Sequence, residues 1–103
     1  MMAAEMKQRS LKLMADYDCF PLWERTGTGM DNVDPAALPI SPSLQDALDL
    51  WAEQYDATLD RDDPGQSGFK TRDAESAFKA EGEALLGRLK AELGGGFALT
   101  LQV

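Results

Sequence analysis

The side chains able to do chemistry in this 103-residue chain are carboxylates and a single thiol, because histidine is absent. Its absence removes the usual general base, the partner that activates a serine or cysteine nucleophile, and the commonest metal ligand. Asp16, Asp18, Glu24, Asp31 and Asp34 gather just after the first apolar run. Paired carboxylates can activate water or hold a divalent metal, yet acidic residues in loops also serve as turn caps and solvated charge. With no second motif to set their spacing, no catalytic residue is assigned. Asp60-Arg61-Asp62-Asp63-Pro64-Gly65 matches the first, third and sixth positions of a calcium loop. Its fifth position is Pro64 and its twelfth Thr71, where a side-chain oxygen and a bidentate glutamate belong, so it reads as an interhelical turn. No metal or other cofactor is expected. Cys19 stands between Asp18 and Phe20, and a nearby carboxylate raises a thiol pKa, so its plain role is a small packed side chain. Gly27-Thr28-Gly29 lacks the third glycine and the strand-helix frame of a dinucleotide site.

The elements that must position these residues follow from hydrophobic period. Leu11, Leu13, Ala15 and Tyr17 alternate with polar neighbours and predict a strand from about Arg9. Cys19 to Trp23 stays apolar, but Pro21 cannot donate to a ladder, which predicts an edge strand, a bulge or a return turn. Thr26 to Pro42, rich in glycine and proline, reads as a long loop. Ser41-Pro42 is an N-cap followed by proline at the first helical position. From there Leu44, Leu48, Trp51, Tyr55 and Leu59 form one apolar face, and Trp51 and Tyr55 are read as core. After the Asp60–Phe69 turn, Thr71 caps a second helix whose predicted core face is Ala74, Phe78, Gly82, Leu85, Leu89 and Leu93. Gly82 on that face predicts close approach by another element. Gly94-Gly95-Gly96 ends the helix with a left-handed cap, and Phe97, Leu99, Leu101 and Val103 alternate as a closing strand.

The expected fold is therefore α+β in the order β-α-α-β. A helical hairpin packs on one face of a small antiparallel sheet formed by the N- and C-terminal strands. Residues 1–8 read as a flexible tail and 9–103 as a single domain. Two strands alone make a marginal sheet, so either the Cys19–Trp23 segment adds a strand or a second copy pairs at an edge, which leaves a homodimer open.

Eighteen Asp and Glu against ten Lys and Arg give a formal charge of −8. Such a chain repels nucleic-acid phosphate and anionic lipid and is drawn to a basic protein. No nucleic-acid or membrane partner is expected. The lone Cys19 excludes an intrachain disulfide, no apolar run reaches the roughly 20 residues of a membrane span, and the polar N-terminus lacks a signal-peptide pattern. The expected compartment is the cytoplasm.

Asp16-Tyr17-Asp18-Cys19-Phe20-Pro21-Leu22-Trp23, then the tract from Asp31 to Leu59 ending WAEQYDATL, then DDPGQSGF from Asp62 to Phe69, resemble a group of small bacterial cytoplasmic proteins without an assigned activity. Its shared pattern is DYxCxPLW, WxxxYDATL and DDPxxSGF. The resemblance implies kinship and no chemistry. In general character such proteins are similar to immunity proteins, which bind and block toxins. The expected function is a non-enzymatic acidic protein-binding domain, an immunity-type inhibitor of a basic toxin or an adaptor. Its contact residues would be Asp16, Asp18, Trp23, Glu24, Asp31, Asp34, Asp56, Asp60, Asp62 and Asp63. The alternative is a small-ligand or divalent-metal-binding domain, or a minor enzyme, using clustered carboxylates.

Overall fold

The computed structural model describes residues 9–60, 62, 63, 65 and 67–103. The expected N-terminal tail lies outside them, as does Pro64 of the calcium-loop comparison.

Among the described residues four strands and two α-helices follow one another: β1 (Arg9–Leu13), β2 (Leu22–Thr26), β3 (Gly29–Val33), α1 (Pro42–Asp56), α2 (Arg72–Leu93) and β4 (Phe97–Leu101). The fold is α+β, with both terminal strands in one four-stranded sheet of order β3-β2-β1-β4. Leu11 and Leu13 bury the same face of β1, and Leu22 of β2 lies opposite Leu13 on that face. Leu44, Leu48 and Trp51 of α1 and Phe78, Leu85 and Leu89 of α2 close the core over it. At Gly82 an added Cβ would lie 2.9 Å from Cζ2 of Trp51, so the predicted close approach is the indole ring. That ring stacks on Phe78 at 4.4 Å and donates its Nε1–H to the Phe78 carbonyl at 3.0 Å.

Both helix starts form as their sequences dictate. Ser41 and Thr71 accept from the backbone N–H three residues on, at 3.2 and 3.0 Å. Gly94 ends α2 at a positive φ of 69° with ψ −157°, a conformation open to glycine that differs from the left-handed helical cap the sequence predicts. Ala74, predicted to face the core, is instead exposed, and the buried face of α2 begins at Phe78.

The sheet departs from expectation in four ways. β1 stops at Leu13, where the Met14 N–H turns to the carbonyl of Pro21 at 2.9 Å. The segment predicted to lie at an edge enters β2, an interior strand, because Pro21 sits one residue ahead of the ladder and leaves it intact. The predicted loop after Thr26 contains β3, joined to β2 through a tight turn at Gly27-Thr28. β3 is an edge strand exposed along most of its length, so it carries no apolar alternation for a sequence reading to find.

The first and last strands are parallel, Arg9 opposite Phe97 through Leu13 opposite Leu101, and not antiparallel as expected. The cause is the segment between β3 and α1. Asp34 caps a short 3-10 turn over Pro35–Ala37, and Leu38 and Ile40 bury their side chains in the core. This stretch carries the chain back along the sheet before α1 begins. Ser41, at the start of α1, donates its N–H and hydroxyl to the Glu92 carboxylate at 2.6 and 2.8 Å, near the end of α2. Tyr55, at the other end of α1, stacks on Tyr17 in the β1–β2 connection at 4.6 Å. α2 thus delivers β4 to the end where β1 starts, and the added crossover makes the pair parallel.

Candidate protein-binding surface

The connection from Met14 to Pro21 is fastened to the C-terminal half of α1. The Asp18 N–H donates to Oδ1 of Asp56 at 3.0 Å, with Asp18 in the left-handed region at φ 60°, which aspartate tolerates better than most residues. Tyr17 and Thr58 share a hydroxyl hydrogen bond of 3.0 Å. Asn32 of β3 accepts from the Phe20 N–H at 2.9 Å and donates to the carbonyls of Phe20 and Leu22 at 2.7 and 3.1 Å. Local hydrogen bonds of this number hold a turn in one shape although it has no core of its own.

Three of the sequence-derived acidic residues, Asp16, Asp18 and Asp56, converge at this turn. All three act on Cys19: burial first, then Asp16, Asp18 and Asp56, push the half-buried thiol above its ordinary range. The thiolate is disfavoured, which suits a packed side chain and not a nucleophile. Asp34 belongs to the same region, for it contributes to the field at Asp49. Burial, then Asp34, Asp46 and Glu53, raise the Asp49 carboxyl above the usual aspartate range.

The other sequence-derived residues are held by different contacts. Glu24 accepts from Nε and Nη2 of Arg9, each at 2.7 Å, and this hydrogen bonding holds its carboxyl below the usual range. Arg9 also lies over the Phe97 ring at 5.1 Å. Asp31 stands opposite Glu24 in the β2–β3 register. Asp60 caps its own turn, accepting from the N–H groups of Asp62 and Asp63 at 3.0 and 2.9 Å. Trp23 is half-buried and donates its Nε1–H to the Met14 carbonyl at 3.0 Å. Among the described residues no three acidic or cysteine side chains are placed to hold a metal ion.

Strand alternation turns Ser10, Lys12, Trp23, Arg25, Met30, Ala98 and Thr100 to the sheet face away from the helices. That face carries Lys12 and Arg25. The outer side of α1 carries Asp46, Asp49, Glu53 and Asp56 and no cation. Asp46, Asp49, Glu53 and two exposed apolar residues beside them, Phe20 and Leu50, were absent from the sequence-derived set. The available signal was a fifteen-residue helix with four acids, no Lys or Arg, and a leucine off its apolar stripe.

A separate cleft of about 410 Å³ opens between the β1–β2 connection and the helix pair, lined by Tyr17, Tyr55, Phe69 and Phe78 with Glu75 and Lys79 at its mouth. Phe69 packs against Phe78 at 5.0 Å and edge-on to Tyr55 at 6.4 Å. Burial leads the causes that raise the Tyr55 hydroxyl above its ordinary range.

Among the described residues no helix is long and apolar enough to cross a membrane. No curated protein matches the chain. The family model described as Serratia CdiI immunity protein-like matches residues 9–101, from the first residue of β1 to the last of β4. With every strand and both helices inside that match, the chain belongs to the Serratia CdiI immunity protein-like family.

Proposed function

We propose that this protein is a non-enzymatic immunity protein, which binds a protein toxin through a basic surface of that toxin and blocks it. The observation that carries the reading is the family match over residues 9–101. The charge of −8 supports a basic partner. The lack of histidine and the raised thiol of Cys19 support inhibition by occlusion and not by chemistry. A single free cysteine supports a reducing compartment, the cytoplasm, as the place of action.

The test is co-expression with a candidate toxin taken from the genes beside its own. Restored growth, together with a stoichiometric complex on size-exclusion chromatography, is the expected result. A toxin that stays lethal and forms no complex would exclude the reading. The aromatic cleft of about 410 Å³ favours a second reading, a small-ligand site. A metabolite panel checks it by melting temperature, since ligand at 100 times Kd stabilises by about 2.7 kcal/mol.

A further inference from the structure

Helix α1 carries its charges against its own electrostatics. A helix favours anions in its first turn and cations in its last, and α1 has no acidic residue in the first and no basic residue in the last. Glu53 and Asp56 occupy the C-terminal end instead. Asp46, Asp49, Glu53 and Asp56 follow at spacings of three and four, where like charges repel. Among the described residues no ion pair relieves any of them. The neighbouring α2 follows the rule at its start, with Asp73 and Glu75 in its first turn, and at its end Lys90 stands beside Glu92, which Ser41 satisfies. A local arrangement that opposes stability where the rest of the fold favours it marks a place held for function.

The same face breaks the apolar rule as well. Leu50 is 57 % exposed and Phe20 42 % exposed. At about 100° per residue, Asp46 and Glu53 project from the middle of the outer face, Asp49 and Asp56 lean toward the Asp16–Phe20 turn, and Leu50 lies on the opposite flank. Phe20 borders a shallow hollow with Asp49, Ala52, Glu53 and Asp56. The carboxylates are thus bracketed by two exposed apolar side chains, the composition of an interface with anchors and charged contacts.

Resting on the immunity reading above, we propose that the toxin docks on this outer face of α1, with Phe20 and Leu50 as apolar anchors. The toxin would present a lysine- and arginine-rich surface with apolar recesses beside it. Its cations supply what the helix end lacks, and docking removes Phe20 and Leu50 from water. A second copy of this chain would set carboxylates against carboxylates, so the face does not suit self-association.

The experiment measures toxin affinity for the full chain and its variants by titration calorimetry, with melting temperature as the check on folding. Asp49→Lys with Glu53→Lys is expected to weaken binding by roughly 100-fold or more, and Leu50→Ser by roughly tenfold. Glu81→Lys with Glu83→Lys makes the same change of net charge on exposed positions of α2 and is expected to cost less than about threefold. Phe20→Ser repeats the apolar test on the other flank should lysine at 49 and 53 unsettle the helix. Equal losses from the two charge-reversed pairs, or parental affinity in the Leu50 and Phe20 variants, would overturn the docking face. A parental chain that itself fails to bind the toxin overturns the immunity reading instead, and this inference with it.

Discussion

At the scale of single residues, Gly82 shows how one missing side chain sets the packing of two helices. Trp51 fills the space a Cβ would need, and its ring is held by the stack on Phe78 and by its hydrogen bond to the Phe78 carbonyl. Overpacking of this kind costs roughly 1–3 kcal/mol, against about 1 kcal/mol that alanine contributes in helix propensity. Gly82→Ala is therefore expected to lower the urea midpoint with an unchanged slope. A variant as stable as the parent would mean that the indole gives way. Gly82 was legible in the sequence, because a glycine kept on an apolar helical face despite its low propensity marks a place where a neighbour comes close. The role of Asn32 was not, since a polar residue in a glycine-rich stretch gives no sign that it will bond the backbone of a segment twelve residues earlier.

At the scale of elements, both helices announced themselves through caps and period, and β3 did not, because an exposed edge strand has no face to bury. The charge pattern of α1 makes a prediction at this scale. Burial and the carboxylates of Asp34, Asp46 and Glu53 raise the Asp49 carboxyl above its ordinary range. A raised folded value means that the folded state holds the proton more tightly than the unfolded chain does. The cost of ionising Asp49 is therefore absent below the ordinary aspartate range, grows as pH rises toward the raised value, and is complete above it. Asp49→Asn, nearly neutral in helix propensity, is expected to raise stability at pH 7 by roughly 0.2–0.5 kcal/mol for each like-charged neighbour relieved. Near pH 3 it should leave stability unchanged. Thermal melts of both proteins at the two pH values check this, and no gain at pH 7 would show that solvent already screens the helix.

At the scale of the whole molecule, the outer side of α1 and the adjoining turn carry carboxylates and no Lys or Arg, whereas Lys12 and Arg25 stand on the open face of the sheet. Such a field acts mainly on encounter. Association with a basic toxin is expected to slow by about tenfold or more between low salt and 0.5 M, while dissociation changes little, as read by stopped-flow mixing. Equal slowing of both rates would point to a conformational step and not to steering. Local period and composition were enough for the α+β class, both helices with their N-caps, most of the core residues on each helix, and the excess of negative charge. Long-range packing was needed to make β1 and β4 parallel, to place β2 in the interior, and to bring Asp16, Asp18 and Asp56 beside Asp49 and Glu53 while Glu24 pairs with Arg9. Those outcomes turn on the path of the Asp34–Ser41 crossover and on contacts between residues far apart in the chain, which no local pattern encodes.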